Sequence, residues 1–191
     1  DAWRHGLAEP VLIGDLKAID AIAAELKLDI SAFERIEEKD FARAAAKAVE
    51  LVRTGKADML MKGLLDTSIL LKAAFNKETG INAGRLASHV AVMETAHYHK
   101  LFLVTDAAIN IAPDLSAKID IIANAVQVAR AIGVETPKVA LLAAVEKVNY
   151  DKMPCTVDAA IITQMNRRGQ VKGCVVDGPL ALDNAVSAES A

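Results

Sequence analysis

The strongest constraint on the fold is an apolar run that stops abruptly. The run ends at Cys174-Val175-Val176, and Asp177-Gly178-Pro179 follows it directly. This pattern is typical of a buried parallel strand whose carboxyl end carries a binding site. A second segment of the same design, from Leu101 to Asp114, places polar residues after its own strand. We expect the two strands to lie in one sheet, with their ends facing the same crevice.

Apolar spacing alternates between strand and helix periods about five times, without a fixed repeat or a low-complexity linker. The alternation predicts an α/β protein in which helices sandwich mostly parallel sheets. Predicted helix N-caps are Asp40, either Asp66 or Thr67, and Thr156. The predicted strands cover 10–14, 59–61, 101–105, 139–143 and 175–176. The predicted helices cover 16–26, Asp40 to about 52, 66 or 67 to before 80, 116–132, and Thr156 to about 168.

The pattern lapses between Ile81 and Arg85, and we place a domain boundary there. Residues 1–82 are predicted to form part of a first α/β domain, and residues 83–191 part of a second. Residues 1–6 are typical of the last turns of a helix that ends at Gly6, and 187–191 of the start of another helix. We therefore interpret the chain as a piece of a longer protein.

Composition narrows the class of protein. A 53% hydrophobic content with only 4% aromatic residues predicts an aliphatic core, which suits helices packed on a parallel sheet. A net charge of -3 argues against a nucleic-acid partner, which would call for a basic face. Cys155 and Cys174 lack metal or redox spacing, and no apolar run approaches a membrane span. We expect a soluble cytoplasmic protein that binds neither membrane nor nucleic acid.

The first candidate site joins a predicted strand end to a helix start. Lys62 and Gly63 follow the strand, and Thr67 and Ser68 lie at the helix N-terminus. Free backbone N–H groups, two hydroxyls and a lysine together suit an anion. The alternative is that Asp66 or Thr67 only caps the helix and that Lys62 is solvated.

The second candidate group lies near the other strand ends. We expect Ser88-His89 at the start of a helix-and-strand unit that lines the cleft. Adjacent residues on a helix point apart and form no nucleophile and base pair, so His89 is expected to donate hydrogen bonds into the cleft or to pack. Thr105, Asp106 and Asn110 either face a cleft or brace a loop, with Asp114 or Ser116 capping the next helix. A calcium-binding loop needs a glycine at its turn position, and this segment has none there, so a calcium loop is not predicted.

Two further signals are weaker. Asp177-Gly178-Pro179 predicts a tight turn, and Asp183 follows it, but nothing near either carboxylate would raise its pKa for acid–base work. Structural hydrogen bonding is therefore favoured for both. His97 and His99 form an H-x-H motif with Glu94 as the only acidic neighbour, which is too few ligands to predict a metal site.

Several of these segments also carry a resemblance to a known family. The segments are M-L-M-K-G-L-L-D-T-S, S-H-V-A-V, T-D-A-A-I-N-I-A-P-D, P-K-V-A-L-L-A-A-V-E-K-V-N and V-D-G-P-L-A-L-D-N-A. In this order, from about Gly6 to the last residue, the chain resembles the phosphate acetyl/butyryl transferase family. The motif D-G-P-L-A-L-D-N-A favours the butyryl branch.

The resemblance implies a fold and an activity. It implies two α/β domains with a cleft between them, similar to the isocitrate and isopropylmalate dehydrogenases, with a first strand before this chain and a carboxyl-terminal portion after it. The implied reaction interconverts butyryl-CoA and phosphate with butyryl phosphate and CoA, in a homodimer or higher oligomer, without a metal or a cofactor beyond coenzyme A as substrate. The family's serine and arginine pair would lie beyond Ala191, so the catalytic residues stay unknown.

The resemblance also leaves alternatives. Lys72 lies near a position where acetyl-branch relatives have arginine, and a lysine cannot grip two oxygens in a fork. An acetyl transferase of the same family and a non-catalytic module that binds CoA or phosphate both fit the pattern. A metal-dependent hydroxyacid dehydrogenase is disfavoured because clustered arginines and metal-binding aspartates are lacking.

Overall fold

A computed structural model describes residues 1–82, 84–187, 189 and 190. The chain divides into two compact units, Asp1–Gly84 and Arg85–Ala191. Their boundary falls inside the segment 81–85, where the sequence pattern lapses, while the assignment of the units to two domains of a longer protein stays a prediction. The helix start expected at 187–191 includes residues 188 and 191, which lie outside the described residues.

The first unit is built on a pair of parallel strands. Strands β1 and β2 run side by side, with Val11 opposite Glu34 and Gly14 opposite Glu37. One helix connects them, as parallel strands require, and two more helices follow. The elements are β1 (Val11–Gly14), α1 (Leu16–Glu25), β2 (Glu34–Glu37), α2 (Phe41–Arg53) and α3 (Thr67–Ala74).

An aspartate side chain begins each helix that the structure describes in this unit. Asp15 accepts hydrogen bonds from the N–H groups of Lys17 and Ala18. Asp40 accepts from Arg43 N–H, and Asp66 from Ser68 N–H. A short carboxylate satisfies N–H groups that have no partner in the first helical turn. The N-cap predictions for α2 and α3 are confirmed.

The strand predicted at 59–61 is wrong. Met59 and Met61 are 70% and 92% exposed, and the sheet of this unit contains only β1 and β2 among the described residues. A segment without a neighbouring strand cannot satisfy its N–H and C=O groups as a sheet does. Strand β2 was not predicted, because its sequence E-R-I-E places one apolar side chain among exposed charges.

The second unit combines a short hairpin with a larger helix-covered strand pair. Strands β3 and β4 are antiparallel, whereas β5 and β6 are parallel. The core lies between helices α4 and α5 and the β5–β6 pair, and its buried members include Ile122, Val126, Ile162 and Val176. The elements are β3 (Ala91–Met93), β4 (Phe102–Val104), α4 (Leu115–Ala131), β5 (Lys138–Leu142), α5 (Cys155–Arg167), β6 (Val175–Leu180) and α6 (Leu182–Val186).

The prediction that the strands ending near Thr105 and Asp177 lie in one sheet is wrong. Strand β4 pairs with β3 and not with β6, and the described chain contains three separate two-stranded sheets, one of them antiparallel. Only residues 94–101 connect β3 to β4. Because a parallel crossover needs a dozen residues or more, so short a connection permits only a hairpin. Ser88-His89 likewise lies in non-helical chain just before β3, not on a helix.

Strand β6 continues through the residues predicted to end it. Asp177 pairs with Ala140 and Leu180 with Leu142, and a register shift lies between these pairs. The tight turn predicted at 177–179 is therefore an irregular part of the strand. Gly178 has φ +155°, and a Cβ atom there would lie 2.7 Å from Leu141 Cβ, so the position requires glycine.

The predicted N-cap of α5 is also corrected. Pro154 occupies the N-cap position, and Thr156 lies inside the helix, fully buried. The Thr156 hydroxyl donates to Met153 O (2.7 Å) and accepts from Asn149 N–H (2.8 Å). It thus holds the preceding loop against the helix from two positions past the N-cap.

Candidate functional site

A polar network in the second unit is organised around Asp106. Its carboxylate accepts hydrogen bonds from Ala108 N–H (2.8 Å), Ile109 N–H (2.9 Å) and the Asn110 side-chain amide (2.6 Å). Longer bonds come from the N–H groups of Asn110 (3.3 Å) and His89 (3.2 Å). Asp106 therefore fixes the loop after β4 and ties it to the segment before β3.

Asp106 is held as an anion. Desolvation raises its pKa, but hydrogen bonds from the N–H groups of Ile109 and Ala108 and from the Asn110 side chain lower it by more. The carboxyl pKa consequently lies well below its ordinary range. A carboxylate with so many donors is a poor proton acceptor, so Asp106 is an anchor and not a general base.

Hydrogen bonds from Thr105, Asn110 and Asn124 hold the segment 86–89 in place. Thr105 Oγ1 donates to His89 O (2.6 Å), and the Asn110 amide donates to Ala87 O (3.0 Å). From helix α4, Asn124 Nδ2 donates to Leu86 O and to Ser88 Oγ, both at 2.9 Å.

The structure thus brings together Ser88, His89, Thr105, Asp106 and Asn110, which the sequence suggested separately. Asn124 was missed by sequence reasoning. A polar residue in the otherwise apolar stretch Ile121–Val126 was the available signal.

One polar atom of this group has no partner. His89 Nδ1 is buried, and it forms no hydrogen bond within the described part of the chain. His89 is thus held by its backbone, through Asp106 and Thr105, and not by its ring.

An open depression adjoins the network. It has a volume of about 410 Å³ and is lined by residues 109–114 and Ala117. Asn110 belongs to both the depression and the network. Asp114 caps α4 by accepting from Ala117 N–H (2.8 Å), as one of the two sequence interpretations expected. Asn110 does brace the loop, and it also lines a surface large enough for a small ligand.

The other candidates are not joined to this network. In the first unit, the exposed residues Lys62, Gly63, Thr67 and Ser68 lie before or at the start of α3, whereas Lys72 is exposed in the last turn of that helix. Asp66 accepts from both the hydroxyl (2.6 Å) and the N–H (2.7 Å) of Ser68, and these bonds lower the pKa of Asp66. The Ser68 hydroxyl is therefore engaged in capping, and the anion site stays a prediction.

The candidates near the end of the chain also lie apart from it. The Asp177 carboxylate accepts from Gly178 N–H (3.0 Å), and Gly178 O accepts from the Thr163 hydroxyl (3.3 Å). Asp183 lies exposed in the first turn of α6. No hydrogen bond among the described residues connects Asp177, Gly178 or Asp183 to Asp106. These contacts agree with structural hydrogen bonding at Asp177.

The described residues contain neither a group of metal ligands nor a membrane-spanning helix. Within residues 1–82, 84–187, 189 and 190, no three His, Cys, Asp or Glu side chains are placed to hold a metal ion. The His99 ring packs against Tyr98 with centroids 4.8 Å apart. Over the same ranges, every helix is too short or too polar to cross a bilayer.

Comparison with solved structures points to one class of protein. The fold is similar to that of a branched-chain phosphotransacylase from Enterococcus faecalis V583, with a TM-score of 0.68 and 30% identity, covering 94% of this chain and 72% of that one. Residues 41–191 match the phosphate acetyl/butaryl transferase family. The chain belongs to this family.

Curated relatives come from both branches of the family. The chain is 52% identical over 191 residues to a phosphate butyryltransferase of Clostridium acetobutylicum and 47% identical to that of Clostridium beijerinckii, covering 100% of this chain and 63% of each relative. It is 43% identical over 190 residues to a phosphate acetyltransferase of Thermotoga maritima, covering 100% of this chain and 64% of that protein. The chain thus spans less than two thirds of the length of these relatives.

Proposed function

We propose that the full-length protein is a phosphate acyltransferase that interconverts butyryl-CoA and phosphate with butyryl phosphate and CoA. The observation that carries this proposal is the 52% identity, over the whole chain, to a protein named phosphate butyryltransferase. The substrates are an acyl-CoA and inorganic phosphate, and coenzyme A takes part as substrate, without a metal or a redox cofactor.

The reaction is a direct acyl transfer. A phosphate oxygen attacks the thioester carbonyl carbon, the new C–O bond forms, the C–S bond breaks, and the proton of the phosphate ends on the sulfur of CoA. Such a transfer needs positioned reactants, cations for phosphate and hydrogen-bond donors for the developing oxyanion. We assign phosphate contact to Lys62 and the N-terminus of α3, with Lys72 as a further cation. The exposure of both lysines supports this assignment.

In the second unit, we assign substrate contact to the segment 86–110. Hydrogen bonds of Asp106, Asn110 and Thr105 support this assignment, because they hold Ser88 and His89 in place. Asp177, Gly178 and Asp183 are proposed to line the same site, on the family resemblance alone. The base and the serine and arginine pair of the family are proposed to lie in sequence beyond residue 191.

The proposal extends to the whole molecule. We propose two α/β domains around a cleft, on the plan of the isocitrate and isopropylmalate dehydrogenases, assembled as a homodimer or higher oligomer in the cytoplasm. The division into two compact units supports the two-domain plan. Light scattering of the full-length protein at micromolar concentration tests the assembly, and a monomer would contradict it.

A phosphate acetyltransferase is the second candidate, because relatives of that name are 43% and 44% identical to the chain. Butyryl-CoA carries two more methylenes than acetyl-CoA, and each buried methylene contributes about 0.8 kcal/mol. We therefore expect kcat/KM for butyryl-CoA to exceed that for acetyl-CoA by about tenfold. An equal or higher value for acetyl-CoA would assign the protein to the acetyl branch.

The test is thiol release from butyryl-CoA by the full-length protein, followed with a thiol reagent. Release that depends strictly on phosphate indicates the transferase. Release without phosphate indicates a thioesterase, and binding of butyryl-CoA without release indicates a non-catalytic module. Either result would overturn the proposal.

A further inference from the structure

The orientation of the Asn124 amide is determined by its surroundings. Asn124 Nδ2 lies 2.9 Å from Leu86 O and 2.9 Å from Ser88 Oγ. A backbone carbonyl can only accept hydrogen bonds, so the amide must present its nitrogen to Leu86. The same nitrogen has a second N–H, and Ser88 Oγ is its acceptor.

This contact leaves the Ser88 hydroxyl as a donor. A serine hydroxyl has one O–H to donate and lone pairs to accept with. Asn124 occupies a lone pair, and within the described residues the Ser88 O–H has no acceptor of its own. The proton of Ser88 is thus directed away from Asn124, and it is available to water or to a bound ligand.

The backbone around Ser88 is held as firmly as its side chain. Asp106 accepts from the N–H of His89, and Thr105 donates to the C=O of His89. Asn110 holds the carbonyl of Ala87 on the other side. A hydroxyl fixed through its side chain and both flanking residues loses little freedom when it donates to a ligand, as a preorganised catalytic donor requires.

We propose that the Ser88 hydroxyl donates a hydrogen bond to the acyl carbonyl oxygen of the substrate as that oxygen gains negative charge, and that Asn124 is the residue that positions it. The inference rests on the acyl transfer proposed above. Ser88 would be a catalytic residue, since it touches the reacting group, and Asn124 would act only through Ser88.

The surroundings of Ser88 favour a carbonyl over phosphate as the acceptor. Among the described residues, the side chains that form hydrogen bonds with segment 86–89 are those of Thr105, Asp106, Asn110 and Asn124, and none of them is a cation. Phosphate carries its full charge before the reaction and needs cations to bind. A thioester carbonyl is neutral on binding, and a single neutral O–H donor suits it.

The test is a double-mutant cycle in the full-length protein, with kcat and both KM values measured from phosphate-dependent CoA release. Removing one oxyanion donor typically lowers kcat by about 100-fold or more, and we expect about 100-fold for Ser88→Ala with little change in either KM. Asn124→Ala should lower kcat by about tenfold. In the Ser88→Ala background, Asn124→Ala should have almost no further effect, because Asn124 then has no hydroxyl to orient.

Two control variants separate this role from a structural one. Ser88→Thr keeps the hydroxyl and should retain kcat within a few-fold. Gln127→Ala removes an exposed amide from the same helix and should leave kcat unchanged. Thermal unfolding of each variant identifies any loss that comes from misfolding.

The outcomes are distinguishable. Wild-type kcat in Ser88→Ala would overturn the inference and leave the proposed acyl transfer standing. A raised KM for phosphate with unchanged kcat would move Ser88 to the phosphate site and contradict the carbonyl assignment. Additive losses in the double variant would show that Asn124 acts independently of Ser88. Absence of phosphate-dependent release in the wild type would overturn the proposed function, and the inference with it.

Discussion

The variant Asp106→Asn tests whether the Asp106 carboxylate anchors the loop after β4. The carboxylate accepts from several N–H groups, and an amide in its place has one oxygen and one NH₂ group. Whichever way the amide turns, its NH₂ group faces N–H donors from Ala108 and Ile109 or from His89 and Asn110. The substitution therefore loses hydrogen bonds and the negative charge, with almost no change in shape.

The size of the effect follows from the geometry. Three of the hydrogen bonds, from Ala108, Ile109 and the Asn110 side chain, are 2.9 Å or shorter. A hydrogen bond to a charged group is worth roughly 1.5–3 kcal/mol. The N–H groups of Ala108 and Ile109 belong to exposed residues, so water replaces part of what is lost. We expect Asp106→Asn to lower the free energy of unfolding by about 2–4 kcal/mol.

Urea unfolding of the full-length protein at several pH values measures this loss. The folded-state pKa of Asp106 lies below its unfolded value of about 3.9, so the stabilisation is complete well above pH 4. It declines as the pH falls through about 4 and below. In that range the unfolded state binds a proton at Asp106 that the folded state does not yet bind, and this stabilises the unfolded state. The difference between the wild type and Asp106→Asn should therefore shrink under acid conditions.

Asp151→Asn is the matched control, because Asp151 is exposed and forms no side-chain hydrogen bond among the described residues. It should change stability by less than about 0.5 kcal/mol. If Asp106→Asn is as mild as this control, or if its effect is independent of pH between 3 and 7, Asp106 does not anchor the loop as described.

Two further predictions concern other parts of the chain. Lys62→Ala should raise the KM for phosphate by roughly two- to fivefold and leave the KM for CoA nearly unchanged, since an exposed cation contributes up to about 1 kcal/mol. Lys77→Ala is the control, because Lys77 is an exposed lysine of the same unit. Equal effects of Lys62→Ala on both KM values would remove Lys62 from the phosphate site. Gly178→Ala should lower the free energy of unfolding by about 2 kcal/mol or more, because its Cβ would lie 2.7 Å from Leu141 Cβ and 2.8 Å from Leu141 O. Gly63→Ala, where a Cβ meets nothing within 4 Å, should be nearly neutral in the same urea titration, and matching midpoints for the two variants would contradict the close contact.

Helices were predictable from this sequence because their signals are local. Asp40, Asp66 and Asp114 each mark a helix start within the first turn, and the carboxylate accepts from an N–H two or three residues further on. The N-cap prediction at Thr156 is wrong although threonine is common at N-caps, because its hydroxyl bonds Asn149 and Met153 of the preceding loop instead.

Strands were less predictable because their partners lie elsewhere in the chain. The apolar segment Met59–Met61 has the composition of a strand but lacks a described neighbour, while the polar Glu34–Glu37 pairs with β1. The candidate site shows the same limit. Asp106 and Asn110 were identifiable as polar residues after a strand, but the contact of Asn124 with Ser88 joins positions 36 residues apart. No local pattern encodes such a contact.

The pairing of strands has a consequence for how this chain acquires its structure. Each described sheet joins strands that follow one another along the chain, β1 with β2, β3 with β4, and β5 with β6. The segments that connect the paired strands are 15–33, 94–101 and 143–174, and the entropy cost of closing a loop grows only slowly with its length. During synthesis from the N-terminus, each pair can form once its second strand has left the ribosome. The nascent chain can therefore pair these strands stepwise, without waiting for distant sequence.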